Sequence, residues 1–206
     1  MKLFIKEGVF ENINNPTDEE IKRALRMHCF ITEKRDGRIK ARAVTDGRTQ
    51  TRYLEEETYS PTVRLESIML SSLIVAVQRR HVRVIDIKGA FLKARVPNGM
   101  ELLFVKMEGE LAQMMNRLQP DFQIHSGGFM YLKCVKALYG HIEATRLLYD
   151  DLNRSLTEKM GFVRNSYDPC IYNKKTKDGN ITVCTHVDDL RVSSISEECL
   201  IKFILI

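Results

Sequence analysis

Two adjacent aspartates, Asp188 and Asp189, interrupt a β-branched run that extends from Ile181 to Val192. Thr182 to Val187 and Arg191 to Val192 favour strand, whereas aspartate is poor inside a strand and good in a tight turn. The stretch therefore predicts a β-hairpin with both carboxylates at its tip. Two negative groups held that close repel each other, and a hard divalent cation relieves the repulsion. Taken alone, an Asp-Asp pair fits a solvated turn better than a metal site. A third carboxylate changes the balance: His81 to Ile87 alternates as a strand, and Asp86 closes it. Three carboxylates from two strands suffice to hold two magnesium ions, the apparatus of in-line displacement at phosphorus.

At 206 residues the chain is one large domain or a domain with a lobe. A hydrophobic content of 44% supplies a buried core and argues against wholesale disorder. No apolar run approaches the ~20 residues of a membrane span. Met1 to Phe10 is too short and too charged for a secretion signal. The cysteines (Cys29, Cys134, Cys170, Cys184, Cys199) are odd in number and lack Cys-x-x-Cys spacing, and the histidines show no ligand spacing with them. That pattern predicts reduced thiols in an intracellular protein and no zinc site, and the lack of a long apolar run predicts no membrane partner.

Charge is uneven. Between Lys22 and Arg52 ten Lys or Arg stand against three acids. Such a segment attracts phosphates, although charge runs also serve as plain solvated surface. Most of it falls on a predicted hairpin, Cys29 to Glu33 and Ile39 to Thr45, around an Asp36-Gly37 pair that favours a primed turn. Lys40, Arg42 and Arg48 are placed there to meet a triphosphate or a template backbone.

Residues 1–17 carry no pattern. Asp18 to Met27 has helical spacing, with Thr17 as N-cap and Glu20 as capping-box partner. Glu55 to Glu57 reads as an acidic loop. A helix over residues 63–79 puts Leu65, Ile68, Met69, Ser72, Leu73, Ala76 and Val77 on one face, predicting a core helix packed on a sheet. Strands are predicted over 101–107, 129–135 and 170–173, with a short helix or insertion over 109–118. A long helix from Ile142 to Met160 ends at Gly161, and Glu197 to Ile206 starts another. Phe91, five residues beyond Asp86, suits either plain core or the floor of a nucleotide site. This order predicts an α+β fold, an antiparallel sheet backed by helices on one face.

The blocks Lys40-Ala41-Arg42 with Val44, Gly47 and Gln50, then Ser60-Pro61-x-Val63-Arg64-Leu65, then Asp86-Ile87-Lys88-x-Ala90-Phe91-Leu92, follow one another along the chain. So do Leu138-Tyr139-Gly140 with Ala144, Arg146 and Tyr149, then Asp168-Pro169-Cys170-x-Tyr172, then Val187-Asp188-Asp189. In that order, over about residues 30–194, they resemble the reverse transcriptase domain of copia-type LTR retrotransposon polyproteins.

The resemblance implies a palm-and-fingers fold. It divides the chain into an N-terminal extension (1–30), a fingers hairpin and loop (31–60), and a palm with a fingers insertion (61–206). It implies RNA-directed DNA polymerase activity, a two-metal nucleotidyl transfer of dNTPs to a primer 3′-hydroxyl on an RNA or DNA template. Asp86, Asp188 and Asp189 become the catalytic carboxylates and ligands of two Mg²⁺ ions, with Mn²⁺ as a substitute. Arg42 sits at the triphosphate with Lys40 and Arg48 beside it. Phe91 packs under the sugar and excludes a 2′-hydroxyl, and Tyr139 and Gly140 line the nascent base pair. His186, beside the primer end, stands where the family usually has Tyr. Thr145, Leu148 and Gly89 also depart from the family pattern, and none of these changes removes a metal ligand. Ile206 follows Asp189 by seventeen residues, so the resemblance implies a fragment with no thumb that works with other parts of a retrotransposon polyprotein. Two further readings are an inactive remnant that keeps the fold and weak nucleic-acid binding, and an unrelated magnesium phosphotransferase. The last leaves the ordered fingers and Gly140 blocks unexplained.

Overall fold

A computed structural model describes residues 1–50, 58–97 and 103–205. In chain order these form α1 (Lys2–Glu7), β1 (Phe10–Asn12), α2 (Asp18–Arg23), β2 (Leu25–Glu33), β3 (Ile39–Thr45), α3 (Leu65–Val77) and β4 (His81–Asp86). There follow β5 (Leu103–Glu108), α4 (Gly109–Leu118), β6 (Phe129–Cys134), α5 (Ala144–Arg154), β7 (Val163–Arg164) and β8 (Ile171–Thr176). Last come β9 (Gly179–His186), β10 (Asp189–Ser194) and α6 (Glu197–Ile204). The acidic stretch Glu55 to Glu57 lies outside the described residues.

The chain divides into two compact units, residues 1–58 with 91–148 and residues 59–90 with 149–206. The first is built on a five-stranded sheet of order β1-β6-β5-β2-β3. Its β2 and β5 run parallel, and its other pairs are antiparallel. Its core gathers Val9, Phe10, Met27, Val105, Met107, Met115, Met130 and Leu132. Residues 1–17, patternless as sequence, supply part of it: Phe4, Val9 and Phe10 are buried. Short elements show no periodicity, which is why α1 and β1 are not legible in the sequence. Local chemistry fixes α2 better. Thr17 Oγ1 accepts from the Glu20 N–H, and the Glu20 carboxylate accepts from the Thr17 N–H, so the predicted capping box is present.

The β2–β3 connection differs from the predicted two-residue turn. Gly37 N–H donates to the Lys34 carbonyl, Lys34 N–H to the Arg38 carbonyl, and Gly37 has φ 76°. This is a three-residue loop whose last position needs a left-handed residue, and glycine takes it without a Cβ clash.

The second unit holds an antiparallel sheet of order β4-β10-β9-β8-β7. One face carries Ile85, Leu190, Val192, Ile181, Val183 and Tyr172, packed with Leu156, Phe162, Leu200 and Phe203. Each fully buried Val or Leu there contributes about 1.5–3 kcal/mol. The long predicted helix is α5 followed by a π-helical turn, Ser155–Lys159, and it ends at Gly161 with φ 68°.

Two expectations need correction. The sequence predicts an antiparallel sheet, and the described residues form two sheets, the first of them mixed. Nothing in residue periodicity tells a parallel partner from an antiparallel one. Helix α3 exists where predicted but buries none of its residues. Its half-buried side is Ser67, Ser71 and Val75, while Leu65, Met69, Leu73 and Val77 are 60–74% exposed. A helix apolar nearly all round has no pattern that names the inward side. Arg191 Nη1 fixes that side by donating to Ser71 Oγ at 2.7 Å. A cavity of about 600 Å³, lined in part by Leu70, Ile74, Tyr167, Ile171 and Ser193, separates the helix from the strands.

Candidate active site

In the second unit β9 and β10 form the predicted hairpin. His186 pairs with Asp189, which leaves Val187 and Asp188 as a two-residue turn. Asp188 lies in that turn, and Asp189 is the first residue of the returning strand. Val187 has φ 55°, a region a β-branched residue enters at a cost of about 1–3 kcal/mol. Strand β4 pairs with β10 so that Asp86 lies directly opposite Asp189. The Ile87 N–H donates to the Asp188 carbonyl at 3.1 Å. That makes 87–188 a hydrogen-bonded pair and 86–189 a non-hydrogen-bonded one, the arrangement in which facing side chains come closest.

Strand alternation puts Asp86, Val84, Asp189, Arg191, Ser193 and His186 on the face opposite the core. Asp86, Asp189 and His186 are exposed there and Asp188 is half-buried. Among the described residues no cation or hydrogen-bond donor pairs with any of the three carboxylates. Two like charges directly across a ladder destabilise it, and nothing among those residues offsets them. Among the described residues no group of three or more His, Cys, Asp or Glu converges as a metal site. What converges is a pair, with the third carboxylate one residue away.

A nearby aspartate has a different part. Asp168 is buried, and its carboxylate accepts from the backbone N–H of Arg64 and of Cys170 at 2.9 Å each. Burial pushes its pKa up, but hydrogen bonds from Ser67, Arg64 and Cys170 outweigh burial and hold it below the usual carboxylate range. Asp168 ties the start of α3 to the start of β8. It is a structural clamp.

The other sequence-predicted residues fall in the first unit. Lys40 and Arg42 lie on one face of the β2–β3 arm, across from Thr32 and Phe30 respectively. Neither makes an ion pair among the described residues. Arg48 differs. It sits in the 3-10 turn Gly47–Thr49, and its guanidinium donates to Asp46 at 2.9 and 2.8 Å. This pairing holds the half-buried Asp46 carboxyl down at about 2. Arg23, Arg26 and Arg38 are likewise paired, with Glu19, Glu108 and Asp36, so part of the basic run is neutralised on the protein.

Phe91 is buried, and its ring centroid lies 4.4 Å from that of Tyr139, which is 37% exposed. Gly140 has φ 98°, and a Cβ there would overlap the Thr45 carbonyl oxygen. Two residues that sequence reasoning passed over stand beside them. His141 is 5% exposed, neither ring nitrogen has a partner among the described residues, and burial lowers its pKa to about 4. Glu143 is also buried, and its carboxylate accepts from the Gln50 amide at 2.6 Å. No local pattern marks either residue.

A family model described as reverse transcriptase (RNA-dependent DNA polymerase) matches residues 7–204. The retrovirus-related Pol polyprotein from transposon TNT 1-94 of Nicotiana tabacum is 28% identical over 200 residues. That match takes in 93% of this chain and 14% of the length of the relative.

Proposed function

Because the chain belongs to the reverse transcriptase (RNA-dependent DNA polymerase) family, we propose that it acts in RNA-directed DNA synthesis, adding dNTPs to a primer 3′-hydroxyl. The observation that carries this reading is the Asp86–Asp189 pair with Asp188 in the adjoining turn. An uncompensated cross-strand pair of carboxylates on an open face suits a divalent cation. Mg²⁺ is commonly held by one or two carboxylates plus substrate phosphates, without a full protein cage. Asp86, Asp188 and Asp189 would hold the two Mg²⁺ ions, or Mn²⁺ in their place. Bound there, the metal would lower the pKa of the primer hydroxyl and stabilise the leaving pyrophosphate.

The remaining roles belong to the chain itself. Arg42 and Lys40, uncommitted on one face of the arm, bind triphosphate oxygens, for which a guanidinium offers a matching fork of donors. Arg48 supports them from its pairing with Asp46. Phe91, braced by Tyr139, lies under the sugar and excludes a 2′-hydroxyl. Tyr139 and Gly140 line the nascent base pair, and His186 adjoins the primer end. In this reading residues 31–60 are fingers and residues 61–206 a palm carrying a fingers insertion. The partners are a primed RNA or DNA template and, as the name of the tobacco relative suggests, further segments of a Pol polyprotein.

A second reading, a non-catalytic remnant that binds nucleic acid weakly, draws on the lack of a converged three-ligand group among the described residues. Primer extension on an RNA template with Mg²⁺ or Mn²⁺, beside an Asp188→Asn control, separates the two. Extension lost in the variant is the expected result. Extension by the variant at the parent rate overturns the carboxylate assignment, and a folded parent that binds primer-template without extending it leaves the remnant.

A further inference from the structure

Residues 45–50 grip residues 139–143 through the backbone and the side chains of Thr45 and Gln50. Thr45 donates its N–H at 2.8 Å and its hydroxyl at 3.1 Å to the Tyr139 carbonyl. Gly47 and Gly140 let the two backbones cross. A Cβ on Gly47 would overlap the Gly140 carbonyl oxygen, and one on Gly140 would overlap that of Thr45. Gln50 closes the far end with both halves of its amide. Oε1 accepts from the Ile142 N–H at 3.1 Å, and Nε2 donates to Glu143 Oε2 at 2.6 Å.

The chemistry allows one orientation. The opposite amide rotamer would set its oxygen against the carboxylate and its NH₂ against an N–H. The buried Glu143 carboxylate needs a donor. Ile142 precedes the first turn of α5 and has an N–H that calls for an acceptor. A single glutamine meets both needs.

We infer that Gln50 is a positioning residue for nucleotide selection, holding Tyr139 and Gly140 in register with the turn that carries Arg48. The inference rests on the polymerase reading above. Gln50 touches no reacting atom and acts through the backbone of residues 139–143. Because the Tyr139 ring packs on Phe91, a shift of this backbone displaces two side chains of the proposed nucleotide site together.

The test is steady-state dNTP incorporation by the full chain and three variants. Gln50→Ala removes both hydrogen bonds, and Gln50→Glu sets two carboxylates against each other. Gln50→Glu combined with Glu143→Gln restores the pair in reverse, the new amide at position 143 donating to the new carboxylate at position 50. Expected is a KM for dNTP raised by about tenfold in both single variants, a kcat within about threefold of the parent, and recovery of KM in the double variant. An unchanged KM with a lowered unfolding midpoint means a merely structural contact and overturns the inference. So does a double variant no better than Gln50→Glu. If the parent itself does not extend, the polymerase reading is what fails, and amide exchange decides the clasp. Faster exchange at Thr45 and Ile142 in Gln50→Ala supports it, and unchanged protection at both overturns it.

Discussion

Replacing His141 by leucine should stabilise the fold, and more at pH 5 than at pH 7. The imidazole is 5% exposed with both nitrogens unpartnered among the described residues. An unsatisfied buried polar group costs about 1–3 kcal/mol, and leucine removes that cost at any pH. The pH dependence comes from burial, which lowers the folded-state pKa from 6.5 to about 4. Between those values the unfolded chain binds a proton that the folded chain refuses. Stability is therefore full above pH 6.5 and falls as the pH drops toward 4. Over the whole window the loss is about 3 kcal/mol, and by pH 5 it is already about 2 kcal/mol. Urea unfolding of parent and variant at pH 7 and pH 5 reads both components. The variant should have the higher midpoint at pH 7, and the gap should widen by about 2 kcal/mol at pH 5. A gap that stays constant between the two pH values would falsify the claim that His141 is held neutral by burial.

The remaining predictions concern the site. Asp86→Asn removes one of two facing charges and should stabilise the metal-free protein by up to about 1 kcal/mol. Mg²⁺ should raise the melting temperature of the parent and not of this variant, and an equal rise in both would place the ion elsewhere. Phe91→Ala should admit ribonucleotides, assayed at low temperature because losing a buried phenyl costs about 3–5 kcal/mol; an unchanged preference for deoxynucleotides removes its steric role. Gly140→Ala meets a left-handed φ of 98° and the Thr45 carbonyl together, and should destabilise by at least about 1–3 kcal/mol. An unfolding midpoint equal to the parent's would mean that the two backbones do not cross there.

What the sequence disclosed follows from the range of the interactions involved. The Thr17–Glu20 capping box, the helix stop at Gly161 and the hairpin around Asp188 are decided within a few residues, and each is present. Partition into two sheets and the parallel pairing of β2 with β5 are decided by residues some eighty positions apart, about which local pattern is silent. Helix α3 is legible as a helix and illegible in orientation, since its apolar residues ring it and a pair of serines faces the strands. The pairing of Arg48 with Asp46 lies between these cases. An aspartate two residues before an arginine at the head of a turn is a local signal, and the Asp46–Arg48 pair follows from it.

The positions of the three carboxylates are the part of the candidate site most legible in the sequence, because these residues and the core use the same alternation. In Asp189-Leu190-Arg191-Val192 the even positions, Leu190 and Val192, are buried, and Asp189 and Arg191 point the other way. A slip of one residue against β4 would bury Asp189 and expose Leu190, so the hydrophobic face fixes the register. That register sets Asp86 against Asp189, although the two repel. The register of β10 against β9, with Val192 opposite Val183, likewise makes the chain reverse at Val187-Asp188, although valine is poorly suited to φ 55°. Both are locally unfavourable, and neither persists without the packing of Leu190, Val192 and Val183 behind it. The hairpin is thus held from its buried face, while His186 and Asp189 beside its turn stay exposed.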